Sequence, residues 1–483
     1  MTELSFAALL EELRAGRLEI RTDSRRVARG DVFVALRGTV HDATAFIPQA
    51  LEAGAGLIVC GAEGAALVRE SAARLVVHGD CRTALWQMAQ ARYHTETLPF
   101  PVIGVTGTNG KTTTAFLLEH LFASQGKKSG LFGTIAYRWP GVSLPAPLTT
   151  PDSLELHRML DSMRQAGVEA AVMEASSHAV AQQRLGGVHF AGAIFTNLTQ
   201  DHLDYHPDME NYYAAKAGLF LELPASDKPC AVNCDDPYGL RLIKACKTGI
   251  GFGLGGNRAG HSYLAGAIRS SGRDGLHLRM DFGGLHWELR SPLVGAFNAS
   301  NLLGVQALWL GMGFSPDALA CLEAFTGVPG RLERIANPRN LHAFVDYAHT
   351  PDALVNVLQA LRAAGFARII AVFGCGGDRD RGKRPLMGAA AAMYADVVVL
   401  TSDNPRREDP DAIMHDVLPG LKEARRVVRE PDRREATRRA LEMLGPEDAL
   451  LVAGKGHEDY QIIGEQRYPY SDQQVIREFL GCA

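Results

Sequence analysis

The 483-residue sequence has no apolar run approaching the roughly 20 residues that a membrane-spanning helix needs, so no membrane insertion is expected. It lacks an excess of either charge. Its 50 Lys and Arg residues face 54 Asp and Glu, and the net charge of -4 gives no electrostatic footprint for nucleic acid or an anionic membrane. It has no Cys-x-x-Cys pair. The eight cysteines are scattered, and although Cys230 and Cys234 are neighbours, no second close pair follows to complete a zinc site. They read as small core residues of a reducing compartment. The first residues, Met1-Thr2-Glu3-Leu4, lack a basic segment followed by an apolar stretch, so no secretory signal is expected. These absences leave a cytoplasmic enzyme as the default. The 46% hydrophobic and 22% charged content is ordinary for a globular chain, and the length calls for two to four domains.

What is present is concentrated first in Gly104-Val105-Thr106-Gly107-Thr108-Asn109-Gly110-Lys111-Thr112-Thr113-Thr114. A short apolar run, Pro101-Val102-Ile103, precedes it, and a helical pattern from Ala115 to Phe122 follows. Strand, glycine-rich turn and helix start form a phosphate cradle, with loop N–H groups and the positive helix end facing one point. Lys111 is placed for the β/γ-phosphates and Thr112 for Mg²⁺. The strict P-loop spacing wants glycine where Val105 stands, so the motif is a variant with Gly104 and Gly107 instead.

Residues 1–98 read as a small α/β unit, with a helix from Phe6 to Leu13 and strands at Asp31–Leu36 and Gly56–Cys60. Leu98-Pro99-Phe100-Pro101 marks a boundary. Across 99–330 strands and helices alternate, and Val168–Met173 and Phe190–Phe195 are the continuous apolar runs of buried parallel strands. Their polar ends are Glu174-Ala175-Ser176-Ser177-His178 and Thr196-Asn197-Leu198-Thr199-Gln200-Asp201-His202. Gly249–Gly253 reads as loop or hairpin, because no helix follows it. From Gly330-Arg331 the alternation restarts. Strands at Ala343–Tyr347, Ile369–Phe373, Val397–Thr401 and Ala449–Ala453, with helices at Asp352–Arg362 and Pro385–Tyr394, predict a doubly wound domain over 331–483. Three polar clusters follow its strands: Gly374–Asp380, Ser402–Arg406 and Gly454–Asp459. Ligands bind outside the carboxyl ends of such strands, so a crevice is expected there.

Chemically, Thr112 and Glu174 are candidate magnesium ligands and His202 a weaker one, since Mg²⁺ prefers oxygen. Local capping explains Glu174 and His202 equally well, and Lys216 reads as a surface lysine on a helix. Arg379, Arg406, Asp403 and Glu458 suit a zwitterion, guanidinium for carboxylate and carboxylate for ammonium, with surface ion pairing as the plain alternative. A nucleotide cradle together with an amino-acid-like pocket points to ATP-driven coupling of an amine to a carboxylate through an acyl phosphate.

Gly107–Thr113, Glu174–His178, Thr196–His202 with Leu203-Asp204, Asn298, Asn301, Gly330-Arg331 and Asp346-Tyr347-Ala348-His349 together resemble the Mur ligases of peptidoglycan synthesis, over essentially the whole chain. Asp403-Asn404-Pro405-Arg406 is similar to the members that add meso-2,6-diaminopimelate to UDP-N-acetylmuramoyl-L-alanyl-D-glutamate. The resemblance implies a UDP-binding domain, a central ATPase and a C-terminal Rossmann-like amino-acid domain, working as a cytoplasmic monomer with ATP and Mg²⁺. It gives Lys216 the part of a lysine carbamylated by CO₂ that helps hold a second Mg²⁺, beside Glu174 and His202 as metal ligands and Lys111 as catalytic cation. It places Gly107, Thr108, Asn109, Gly110, Lys111, Thr112, Thr113, Asn298, Arg331, Asp346 and His349 around ATP. Thr22, Ser24, Thr39, Val40 and His41 would meet uridine and diphosphate, and Thr149, Thr150, Ser176, Gln182 and Arg184 the muramoyl-dipeptide. Arg379, Asp403, Asn404, Pro405, Arg406, Gly454 and Glu458 would form the diaminopimelate pocket. Two positions depart from the pattern: Thr22 stands for a usual leucine and Leu148 for an asparagine. Folylpolyglutamate synthases share the ATPase, but the N-terminal turns and the Asp-Asn-Pro-Arg stretch disfavour them. A P-loop binding protein without ligase activity would bind nucleotide yet release no phosphate when acceptor and amine are added.

Overall fold

Four short runs near the N-terminus pair in parallel and in chain order: β1 (Ile20–Arg21), β2 (Val32–Val34), β3 (Leu57–Cys60) and β4 (Arg74–Val77). Apart from Arg21 and Arg74 their residues are apolar, and β2 and β3 are buried throughout because helices cover both faces. Helices α1 (Phe6–Arg14) and α3 (Cys81–Tyr93) bring Leu9, Leu13, Ala84 and Met88 against Ile20, Val32 and Leu57, while α2 (Ile47–Glu52) brings Ile47 and Ala50 against Phe33 and Ile58. Ser5 caps α1 by accepting from the Ala8 N–H at 3.3 Å. This computed structural model describes residues 4–38, 42–68, 71–203, 205–222 and 228–482. The chain divides into two units, the first made of Met1–Phe252, Asn257–Tyr263 and Gly304–Ala318, the second of the remaining segments.

The first unit also holds a larger sheet. Its strands are β5 (Val102–Thr106), β6 (Ser129–Phe132), β7 (Ala136–Trp139), β8 (Val142–Pro145), β9 (Ala170–Glu174), β10 (Phe190–Phe195), β11 (Cys230–Asn233) and β12 (Gly249–Gly253), in the order β12-β11-β10-β5-β9-β6-β7-β8. The pairings among β12, β11, β10, β5, β9 and β6 are parallel, and β7 and β8 add an antiparallel edge. Helices α4 (Lys111–Ser124), α5 (Ser153–Gln165), α6 (Ser177–Ala181), α7 (Met209–Leu221) and α8 (Pro237–Ile243) connect them. Register fixes the site: Val105 lies opposite Glu174, and Thr106 opposite Phe195. The carboxyl ends of β9, β5 and β10 are therefore side by side.

One expectation fails here. Gly249–Gly253 is no loop but the fully buried strand β12, parallel to β11. Its glycines are there for close packing. A Cβ at Gly251 would sit 2.0 Å from the Ala259 carbonyl oxygen, and one at Gly249 would sit 2.4 Å from Ile243 Cδ1. A composition that signals a turn is thus used to admit neighbouring chain.

In the second unit, β13 (Ser262–Gly272, within this unit from Leu264), β14 (Gly275–Phe282) and β15 (Leu285–Ser291) form an antiparallel meander, followed by α9 (Ala296–Gly311), whose residues from Gly304 belong to the first unit. The doubly wound sheet contains β16 (Glu333–Arg334), β17 (His342–Asp346), β18 (Ile369–Phe373), β19 (Val397–Leu400), β20 (Val427–Arg429) and β21 (Ala449–Ala453), ordered β16-β17-β21-β18-β19-β20, all parallel except β16. Side chains alternate between its faces. Phe344, Phe373 and Leu400 pack on α10 (Pro351–Ala363), α11 (Lys383–Tyr394) and α12 (Pro410–Val417). Val345, Val372 and Val399 pack on α13 (Arg433–Glu442) and α14 (Asp472–Leu480). The hairpin β22 (Tyr460–Ile463) and β23 (Gln466–Pro469) follows β21. Among the described residues no helix is long and apolar enough to cross a membrane.

Candidate active site

Strand β5 stays extended through Thr106, and Val105 is one of its buried, paired residues, so the glycine the strict motif wants is not needed until Gly107. There φ reaches +150°, and at Gly110 it is +85°, immediately before α4. A Cβ at Gly107 would lie 1.9 Å from Thr196 Oγ1. The end of β10 locks the loop. Thr196 Oγ1 donates to the Asn109 carbonyl at 2.6 Å, the Asn109 N–H donates to Asn197 Oδ1 at 2.9 Å, and the Thr108 N–H donates to the Asn197 carbonyl at 2.9 Å. Lys111 Nζ donates to the Gly107 and Thr108 carbonyls, each at 2.8 Å. Thr113 is buried in the first turn of α4.

Glu174, at the end of β9, is fully buried. Its Oε2 accepts from Thr112 Oγ1 at 3.1 Å and from Thr134 Oγ1 at 3.0 Å, and its Oε1 accepts from the Thr134 N–H at 3.0 Å. Sequence reasoning missed Thr134, whose only signal is its place just after strand β6. Lys216 is not on the surface. It is 1% exposed on α7, donates to the Gly107 carbonyl at 2.7 Å, and lies 4.6 Å over the Tyr212 ring. Burial, aided by the nearby Lys111 charge, holds its amine well below the usual lysine range. His202 has φ +53°, and its ring lies 4.9 Å from that of His178 and 6.0 Å from that of Tyr212. Among the described residues no cluster of three or more His, Cys, Asp or Glu suited to a metal forms. A hydroxyl and a carboxylate 3.1 Å apart at the phosphate loop nevertheless fit Mg²⁺, which takes few protein oxygens and completes its shell with phosphate and water.

The five residues assigned to the muramoyl-dipeptide form one connected chain beside Glu174. Thr149 Oγ1 is 3.2 Å from Thr134 Oγ1. Thr150 Oγ1 donates to the Glu174 carbonyl at 2.7 Å and accepts from the Ser176 N–H at 3.0 Å. Ser176 caps α6. Arg184 donates to the Thr150 carbonyl at 3.1 Å and to Gln182 Oε1 at 2.6 Å, and Gln182 Nε2 donates to the hydroxyl of Tyr205, a residue not anticipated. A cavity of about 600 Å³ is lined by Thr22, Asp23, Arg26, Leu148, Asp152 and Arg158, among others. Both departures from the family pattern, Thr22 and Leu148, therefore face one cavity. Ser24 is buried and donates to Gln49 Oε1 at 2.8 Å. Thr39, Val40 and His41 lie outside the described residues.

In the second unit, the loops after β18, β19 and β21 converge as expected. Arg406, at φ +53°, donates from Nη1 to the Gly377 carbonyl at 2.7 Å, and Arg379 packs beside Gly376. The Gly377 N–H donates to the Asn404 carbonyl at 2.9 Å. Pro405 joins Asn404 to Arg406, and its carbonyl would be 1.9 Å from a Cβ at Gly377. At Gly454, φ is +116° and a Cβ would lie 2.7 Å from Asp403 Oδ2. Glu458 Oε2 accepts from Asn404 Nδ2 at 3.1 Å and from Lys455 Nζ at 2.9 Å. The fully buried Arg433 pairs with Asp472 at 2.8 Å and donates to the Ala453 carbonyl at 2.9 Å, tying the loop after β21 to α14. Neither Lys455 nor Arg433 was among the expected site residues. Lys455 falls within the Gly454–Asp459 cluster that marked the crevice but was given no role of its own, whereas Arg433 carries no signal in its sequence surroundings; the burial of both follows from long-range packing.

Four expected nucleotide contacts also belong to this unit. The Arg331 guanidinium lies 4.8 Å over the Tyr347 ring, and His349 lies 4.7 Å from the same ring. Asp346 accepts from the Leu332 and Ala348 N–H groups at 2.6 and 2.7 Å, and burial pushes its carboxyl up. Asn298 donates to the Val294 carbonyl at 2.9 Å and accepts from Asn301 at 3.2 Å.

Two family models match the chain: the Mur ligase middle domain over residues 105–309, and the Mur ligase glutamate ligase domain over residues 330–456. A UDP-N-acetylmuramoyl-L-alanyl-D-glutamate--2,6-diaminopimelate ligase from Lawsonia intracellularis is 54% identical over 483 residues, 100% of either chain. A protein of the same name from Gloeobacter violaceus is 44% identical, covering 95% of this chain and 93% of its own. A solved structure of a ligase with that name is 35% identical and superposes with a TM-score of 0.70, over 96% of this chain and 94% of the other.

Proposed function

The chain belongs to the Mur ligase family, and from that premise we propose that it adds meso-2,6-diaminopimelate to UDP-N-acetylmuramoyl-L-alanyl-D-glutamate at the expense of ATP, in the cytoplasmic phase of peptidoglycan synthesis. It works as a monomer through three functional segments: 1–98 for the UDP moiety, 99–330 for ATP and 331–483 for the amino acid. The observation that carries the choice of amine is the side-chain set around Asp403–Arg406. Arg406 and the Asn404 amide offer donors for carboxylates, and Asp403 and Glu458 offer acceptors for an ammonium.

The D-glutamyl carboxylate attacks the γ-phosphorus of ATP, ADP leaves, and an acyl phosphate forms. The amine of diaminopimelate then attacks the acyl carbon, and inorganic phosphate departs with the carbon–oxygen bond. Loop N–H groups from Gly107 to Thr113 and the Lys111 ammonium take up the negative charge of the transferring group. Thr112 and Glu174, with His202, would hold Mg²⁺, which would add to the neutralisation of the phosphate oxygens. Thr134 keeps the Glu174 carboxylate fixed from two sides. Lys216 serves as a carbamate: its amine adds to CO₂, releases a proton and becomes an anionic oxygen donor. A buried amine held neutral is the reactive form for that addition. Asn298, Arg331, Asp346 and His349 serve the nucleotide. Thr22 and Ser24, with Thr39–His41, serve the uridine diphosphate, and Thr149, Thr150, Ser176, Gln182 and Arg184 serve the muramoyl-dipeptide.

The test is phosphate release from ATP and the UDP-muramoyl-dipeptide with a panel of amines. meso-Diaminopimelate is expected to give the highest kcat/KM, and a higher value with L-lysine overturns the assignment. Arg406→Ala is expected to raise KM for diaminopimelate about 10–100-fold, the worth of one charge-assisted pair, with KM for ATP nearly unchanged.

A further inference from the structure

Lys455 is completely buried, yet it is a lysine, and it stands between two residues of the amino-acid pocket. Its Nζ donates to Asn404 Oδ1 at 3.0 Å and to Glu458 Oε2 at 2.9 Å. Asn404 Oδ1 accepts a second hydrogen bond, from the Ile462 N–H, at 2.9 Å. An amide oxygen has two lone pairs, and both are used. The amide is thereby denied the flipped orientation, in which its NH₂ group would face an ammonium and a backbone N–H. Its nitrogen is turned the other way, with one N–H given to Glu458 Oε2 at 3.1 Å, which leaves the amide's second N–H as a donor for a ligand. Glu458 is fixed by the same contacts: Oε2 receives both Lys455 and Asn404, which leaves Oε1 as the carboxylate's other acceptor.

We infer that Lys455 is a positioning residue for amine selection: it locks Asn404 as a hydrogen-bond donor toward a carboxylate and Glu458 as an acceptor toward an ammonium, so that the pocket reads an α-amino-acid end rather than a simple amine. This rests on the amino-acid-binding role proposed above for Asn404 and Glu458. Lys455 itself touches no reacting atom, and its effect falls on recognition and not on phosphoryl transfer.

The experiment compares wild type with Lys455→Met, Lys455→Gln and Asn404→Asp in the full-length protein, measuring KM separately for meso-diaminopimelate, ATP and the UDP-muramoyl-dipeptide. Lys455→Met removes both donated bonds, and KM for diaminopimelate is expected to rise about tenfold while the other two KM values stay within about twofold. Lys455→Gln keeps an N–H donor and is expected to recover part of the loss. Asn404→Asp keeps the acceptors but removes the N–H facing the carboxylate, and is expected to lose at least as much as Lys455→Met. If Lys455→Met does not fold, the Gln and Asp variants carry the same comparison. Equal changes in all three KM values, or an unchanged KM for diaminopimelate, overturn the inference. If wild type fails to use diaminopimelate at all, it is the functional assignment that falls, and the two failures are distinct.

Discussion

Lys216 shows how a single residue can be misjudged from its neighbours in sequence. It follows Tyr213-Ala214-Ala215 on a helix, which in isolation is a surface pattern, and its partner oxygen belongs to Gly107, distant in the chain. Only the packing of α7 beside the phosphate loop buries it. Its folded-state pKa lies well below the usual 10.5, so the unfolded chain binds an extra proton throughout the interval between the two values. Stability therefore rises with pH across that interval. Lys216→Met is expected to lose ligase activity and to melt several degrees higher than wild type at pH 7, the gain shrinking as pH approaches 10.5. A thermal-denaturation series in bicarbonate-free buffer measures it, and a Tm below wild type at pH 7 would contradict the buried neutral amine. Lys111 and Thr112 could be singled out because they share one local motif, whereas Glu174, 62 residues beyond Thr112, was equally open to a capping role. Thr134 was not singled out, and Lys455 was noted only as part of a polar cluster, because the Thr134–Glu174 and Lys455–Asn404 contacts join separate strand–loop segments.

At the level of elements, apolar runs translated directly into strands. Phe190–Phe195, Ile369–Phe373 and Ala449–Ala453 form with the bounds their sequences suggest, while β12 was hidden by glycines that packing requires. Helix α5 carries a less obvious constraint. Its His157 is fully buried between two other segments, donating from Nε2 to the Gly186 carbonyl at 3.0 Å and accepting at Nδ1 from Thr95 Oγ1 at 2.6 Å. Burial lowers its pKa to about 4 from the ordinary 6.5. The neutral ring is the folded form, so protons bind preferentially to the unfolded chain below pH 6.5. Stability is lost as pH falls from 6.5 to about 4, by about 3 kcal/mol in total from this group. His157→Gln is expected to flatten that part of the stability profile in urea titrations at pH 7, 6, 5 and 4. An unchanged profile would assign the acid sensitivity to other groups.

For the whole molecule, the α/β class and the doubly wound C-terminal sheet could be read from the sequence, because buried parallel strands are written as uninterrupted Val, Ile and Leu. The cysteines follow the same logic of burial. All eight are thiols outside any disulfide, with Cys60, Cys230, Cys234, Cys246 and Cys375 buried and Cys81, Cys321 and Cys482 half-buried. Burial pushes the Cys60, Cys81 and Cys234 thiols up to about 11 and that of Cys375 up to about 12. Titration of the native protein with a thiol reagent at pH 8 is expected to label at most three groups quickly, and all eight after denaturation. Rapid labelling of five or more would mean that the buried set is accessible. The Gly107 carbonyl, finally, receives the amines of both Lys111 and Lys216, at 2.8 and 2.7 Å. When a phosphate draws Lys111 away, it withdraws the like charge that helps keep Lys216 unprotonated. One backbone oxygen thus holds two amines side by side, so the protonation of Lys216 is coupled to where Lys111 rests.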